Sequence, residues 1–141
     1  MTNSVHIDLL GTETRFVESG DYRTRVIEVS NNKAPLILLH GGGGHAETFS
    51  RNLNSLAAVC RPIAMDFIWH GMSSRPSFSD GSATDDVHWL RQFTLQVIDL
   101  MEVLGLQSAS FEGESLGGWV ALDLAINFPE RVDALVLNTA W

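Results

Sequence analysis

Basic residues are scarce in this chain: nine lysines and arginines stand against seventeen acidic residues, giving a net charge of −8 and a pI near 4.9. The nine are scattered singly, which excludes the clustered basic face that a phosphate backbone requires, so no nucleic-acid partner is expected. There is one cysteine, Cys60. A lone thiol excludes an internal disulfide and offers no paired metal ligand, and it reads as a small apolar residue opening a strand. No apolar run approaches the roughly 18 residues of a membrane helix, and the N-terminus lacks the basic start and apolar core of a signal peptide. The expectation is a soluble, cytoplasmic protein without a membrane partner. Repeats, low-complexity tracts and Pro/Gly-rich linkers are also missing, so the 141 residues are read as one unit.

What is present is a regular alternation of strand and helix signals. "TRFVESGDYRTRVIEVS" alternates apolar and polar residues on both sides of Ser19-Gly20-Asp21, the pattern of an antiparallel hairpin of two half-buried strands. "PLILLH" is a continuous apolar run, as expected of a strand covered on both faces, and it ends in four glycines. Phe49, Leu53, Leu56 and Ala57 recur at helical spacing before "RPIAMDF" resumes a strand. Val87, Leu90, Thr94, Val97, Ile98, Met101 and Leu104 form a helical stripe, with Thr84 or Asp85 as N-cap and Gly105 as the stop. "SASFEG" predicts a strand, and the residues from about Leu116 to Phe128 a helix halted by Pro129. "ALVLN" predicts a last strand, buried on both faces. This order implies a mostly parallel sheet, opened by an antiparallel hairpin, with helices on both faces: a three-layer α/β fold.

"GESLGG" falls where a strand turns into a helix. Gly113-Glu114-Ser115-Leu116-Gly117 is G-x-S-x-G, and in that context it predicts a nucleophile elbow with Ser115 as the nucleophile. Gly113 and Gly117 leave room for the chain to cross itself, and the first helical N–H groups face the site where negative charge develops. "HGGGG", His40 to Gly44, supplies a second backbone donor without a Cβ in the way. Gly42 N–H and Leu116 N–H are the predicted oxyanion hole. A phosphate-cradling loop is the competing reading, but no G-x-x-x-x-G-K-[ST] is present. No cofactor or metal site is expected.

On these motifs the chain resembles the α/β-hydrolase fold superfamily. The hairpin, "LILLHGGGG", "DFIWHGMS", "GESLGG" and "FPERVDALVLNTA" come in that family's order. "DFIWHGMSSRP" is similar to its D-x-P-G-H-G-x-S segment at Asp66, His70, Gly71 and Ser73, while Ile68 and Trp69 replace Pro-Gly and imply a differently shaped loop. The resemblance makes Asp66 and His70 turn-formers and gives His40 the shaping of the glycine loop. Within the fold the chain looks most like the meta-cleavage-product hydrolases, which act on 2-hydroxy-6-oxo-dienoates, and related esterases. A serine at residue 115 distinguishes it from the epoxide-hydrolase and haloalkane-dehalogenase branches, which place Asp there.

The resemblance implies a Ser-His-Asp triad in the order Ser, acid, His. After Ser115 come Asp123, Glu130 and Asp133, with no histidine. Asp123 and Asp133 are read as surface charges, and His6 and His88 as solvated residues. The chain is therefore expected to be the N-terminal part of a single α/β-hydrolase domain, truncated after the sixth strand and lacking the lid. A non-catalytic binding module, or a half-domain that completes its sheet by pairing its last strand with a second chain or a homo-oligomeric partner, is the alternative. Glu112, in a central strand, is expected to be protonated, paired or reached by water, with an auxiliary acid role open to it. Trp69 and Trp119 could be aromatic pocket walls, but large apolar residues beside an elbow are more often core, and neither is assigned a role.

Overall fold

The computed structural model describes residues 4–77 and 86–138. A short helix α1 (Val5–Asp8) precedes the hairpin β1 (Glu13–Ser19) and β2 (Tyr22–Glu28). Then follow β3 (Pro35–Leu39), a 3-10 turn (Ala46–Phe49) leading into α2 (Ser50–Leu56), β4 (Arg61–Met65), α3 (Asp86–Val103), β5 (Ala109–Glu114), α4 (Leu116–Asn127) and β6 (Val132–Asn138). The six strands form one sheet in the order β1-β2-β4-β3-β5-β6. β1, β2 and β4 pair antiparallel, while β4, β3, β5 and β6 run parallel.

β3 is the centre of the sheet, and its side chains show why the run "PLILL" is continuous. Ile37 and Leu39 point into a core shared with Phe67, Phe93, Leu100, Phe111 and Leu124, under α3 and α4. Leu38 points to the opposite face, against Ala46, Phe49 and Leu53 of the α2 side. A strand flanked by parallel neighbours and covered on both faces has no solvent side, so it needs no polar alternation. Gly105 ends α3 with φ 68°, and Pro129 follows α4. The predicted N-caps Thr84 and Asp85 lie outside the described residues, as do the side chains of Val87 and His88.

Two expectations for the strands are corrected. β2 is not half-buried: Thr24 to Glu28 are all buried, because the strand is sandwiched between β1 and β4 and its charges are internally paired. Glu28, fully buried, meets Arg15 at 2.5 Å and Arg61 at 2.8 Å. β6 is not buried on both faces. Among the described residues it has β5 as its one neighbour, and Val136 and Leu137 are exposed.

Candidate active site

β5 carries the chain to the C-terminal edge of the parallel sheet, where it reverses at Ser115 into α4. Ser115 has φ 49° and ψ −110°, a backbone conformation that costs a non-glycine residue about 1–3 kcal/mol. Its side chain caps no helical N–H, and the residue is exposed. The turn is held from β6 by Ser115 N–H donating to Asn138 O at 2.9 Å. Both elbow glycines are required by close approach. A Cβ on Gly113 would collide with Gly117 O and stand 2.6 Å from Gly118 N; a Cβ on Gly117 would collide with Leu39 O and stand 2.8 Å from Leu39 Cβ.

The glycine loop after β3 lies directly against this turn. A Cβ on Gly41 would stand 3.5 Å from Ser115 Cβ and 3.5 Å from Glu114 O, whereas one on Gly42 would meet nothing within 4 Å. Gly42 therefore faces open space, next in the chain to the glycine that packs against the serine. Gly44 N–H donates to Gly41 O at 3.0 Å, and Gly43 takes φ 77°. Leu116 is the first residue of α4, where backbone N–H groups have no intrahelical acceptor and the helix dipole is positive.

The loop is pinned at both ends. His40 is buried; its Nε2 accepts from Phe67 N–H at 3.1 Å, so the ring proton is on Nδ1, which donates to Gly41 O at 2.7 Å. Burial lowers its pKa to about 4, so the imidazole is neutral at physiological pH. The rings of His40 and His70 lie with centroids 5.1 Å apart, tilted by 56°. At the other end, Ala46 N–H donates to Asp66 Oδ1 at 2.7 Å. Asp66 Oδ2 accepts from Met72 N–H at 2.7 Å and from Arg25 Nη1 at 3.1 Å. Arg25 also forms a short bidentate pair with Glu47, and His45 Nδ1 lies 2.8 Å from Glu47 Oε2. Burial would raise the Glu47 pKa, but the Arg25 hydrogen bonds overcome it and the carboxyl titrates below its ordinary range.

Asp66 thus closes turns, as the resemblance implies, and also joins β2, β4 and the glycine loop through buried charge. The sequence reading missed Arg25, Glu47 and Gln96. Gln96, fully buried on α3, accepts from Ile68 N–H at 2.9 Å and donates to Asp66 O at 3.1 Å and Thr24 Oγ1 at 2.9 Å. The only sequence signal was a glutamine one helical turn from both Phe93 and Leu100, apolar residues outside the predicted stripe. Trp69, which stands where the resembling segment has glycine, has φ 64°, in the left-handed region that a non-glycine residue rarely adopts.

Other expectations move. Asp123 is not a plain surface charge: its side chain is 12% exposed and pairs with Arg91 of α3 at 3.2 Å. Trp119 is 48% exposed on the outer side of α4, while Trp69 packs against the core and donates from Nε1 to Pro76 O at 2.8 Å. His6 lies in α1 and is exposed, in line with its reading as a solvated residue. Glu112 points to the α2 face of the sheet; its Oε2 is buried without a hydrogen-bond partner, and burial, reinforced by the Glu114 charge, pushes its pKa up. Among the described residues Ser115 Oγ has no hydrogen bond to a histidine, no group of three or more His, Cys, Asp or Glu is placed to hold a metal, and no helix is long and apolar enough to cross a membrane.

Comparison with known proteins adds a family. The profile described as alpha/beta hydrolase fold matches residues 34–141. A (lyso)-N-acylphosphatidylethanolamine lipase of Homo sapiens is 33% identical over 79% of this chain and 31% of its own length. A 1-acylglycerol-3-phosphate O-acyltransferase of the same organism is 34% identical, with the same two shares covered. The solved 2-hydroxy-6-oxo-6-phenylhexa-2,4-dienoate hydrolase of Rhodococcus sp. strain RHA1 superposes with a TM-score of 0.80 at 27% identity, over 89% of this chain and 45% of that one. The chain spans about a third of the length of the curated relatives it matches.

Proposed function

The chain belongs to the α/β-hydrolase fold family, and from that premise we propose that residues 1–141 are the nucleophile-bearing, N-terminal part of one serine-hydrolase domain acting on a carboxylic ester. The observation that supports this most is the strained, exposed turn of Ser115 with Gly41 packed against it. In the proposed reaction Ser115 Oγ attacks the ester carbonyl carbon as its proton passes to a base. The carbonyl oxygen becomes an oxyanion held by Gly42 N–H and Leu116 N–H, and its collapse expels the alcohol and leaves an acyl-serine that water hydrolyses. Relatives named as a lipase and an acyltransferase favour an ester over the carbon–carbon bond of a dienoate. The base is a histidine oriented by an acid, both supplied from outside these residues.

A second reading, a non-catalytic binding module or half-domain that needs a partner chain, is favoured by His40. Both its nitrogens are engaged, and no histidine follows residue 88. Reaction with a fluorophosphonate probe separates the two. The hydrolase reading expects slow labelling that is accelerated by added imidazole and lost in Ser115→Ala. A folded chain that stays unlabelled with imidazole present supports the binding module instead.

A further inference from the structure

Gly41 stands between the serine and a carboxylate. The Cβ that its backbone would carry lies 3.5 Å from Ser115 Cβ and 3.9 Å from the carboxyl carbon of Glu114, the last residue of β5. Through that shared point the carboxyl and the serine are closer to each other than the ~8 Å over which charges act at physiological ionic strength. The other carboxylates at the glycine loop are neutralised, since Asp66 and Glu47 both pair with Arg25. Glu114 is half-buried and has no ion pair among the described residues. Neither histidine flanking the loop offsets its charge, because His40 is neutral and His45 turns Nδ1 toward Glu47. The charge of Glu114 is felt at Glu112, two residues upstream on the same strand face: burial first, and then that charge, push the Glu112 pKa up.

We propose that Glu114 is a specificity-determining residue of the Ser115 site, restricting it to esters uncharged on both sides of the scissile bond by repelling those that carry a carboxylate or phosphate beside the carbonyl. This rests on the hydrolase reading and narrows its substrate class. Attack by Ser115 already creates one negative charge near Glu114, and the two N–H groups assigned to that oxyanion have no capacity for a second anion. An anionic group on the substrate finds no free cation among the described residues of the loop and meets Glu114 uncompensated, and like charges placed together discriminate strongly against a ligand. The same repulsion acts on a dienoate, which carries a carboxylate of its own, so charge as well as bond type separates the two substrate classes.

The test uses the full chain with imidazole present and two fluorophosphonates that differ only at the end of a short alkyl chain, a methyl ester in one and a carboxylate in the other. The neutral probe is expected to label Ser115 about tenfold faster at 50 mM salt, and the ratio to fall toward one at 1 M salt. Glu114→Gln should remove the preference at low salt. Glu13→Gln, which changes the net charge equally at an exposed position of edge strand β1, should leave it in place. Equal rates for the two probes, or a ratio that Glu114→Gln does not change, overturns the proposal. A second measurement needs no chemistry: relaxation of the Gly42 amide proton by a cationic and an anionic nitroxide in solution. Glu114→Gln should lower the cation-to-anion ratio there and Glu13→Gln should not. That change without labelling by either probe removes the hydrolase reading and leaves Glu114 as the group that keeps anions from the loop; no change removes Glu114 from that role.

Discussion

The imidazole of His40 is tied to the backbone of Phe67, with Nε2 accepting its N–H at 3.1 Å. That one bond joins the start of the glycine loop to the loop after β4 and fixes which nitrogen of His40 bears the proton, since Nδ1 must then donate to Gly41 O. Protonating the ring would break the bond to Phe67 and place a charge in the core.

The expected consequence is a pH-dependent stability. The His40 pKa falls from 6.5 in the unfolded chain to about 4 in the folded one. Between those values the unfolded state binds more protons, so the His40 contribution is complete above about pH 6.5 and is lost as pH falls toward 4. Its upper bound is about 3 kcal/mol. Urea unfolding of the chain and of His40→Gln at pH 7, 5.5 and 4.5 should show the unmodified chain losing more stability over that range. Parallel losses would remove His40 as the cause.

Glycines 42 and 117 should respond in opposite ways to a methyl group. Gly117→Ala drives a Cβ into Leu39 and should cost ~1–3 kcal/mol or prevent folding. Gly42→Ala meets nothing within 4 Å and keeps its N–H, so its stability should change by no more than about 0.5 kcal/mol. Thermal melts of the two variants measure the contrast.

At Ser115 the usual ranking of alanine over glycine should reverse. With φ at 49°, alanine retains the strain and glycine releases it, so Ser115→Gly should be about 1 kcal/mol more stable than Ser115→Ala. Equal midpoints in urea would mean that the turn relaxes once the serine is gone.

Arg25 should be costly to remove and insensitive to salt. Its side chain is 7% exposed and paired with fully buried Asp66, so Arg25→Met strands a buried carboxylate, with an expected loss of ~3–5 kcal/mol. The loss should be nearly unchanged between 50 mM and 1 M salt, because buried pairs are weakly screened. A loss that fades with salt would place the pair in solvent.

The sequence disclosed the element order, the hairpin turn, the central strand and the meeting of "GESLGG" with "HGGGG", because each leaves a local signature of period, turn residue or glycine. It concealed interactions that pair residues distant in the chain. Arg25 and Glu28 stand on opposite faces of β2 and each reads as a polar position of a half-buried strand, yet Glu47, Asp66, Arg15 and Arg61 pair with them inside the protein. Asp123 looks exposed until α3 brings Arg91 to it. β6 misled in the other sense: its apolar letters predict burial, but burial also requires neighbours, and sequence pattern does not count them.

The strand order has a consequence for the time course of synthesis. β3 lies between β4 and β5, and β5 is made only after the whole of α3 has been translated. Until then the hydrogen-bonding edge of Leu36 to Leu39 has no partner on that side, and the most apolar strand of the sheet stays half-paired. Such long-range parallel pairing is slow to form and leaves a sticky edge on a nascent chain, so yield in the cell should depend on holdase chaperones during that interval.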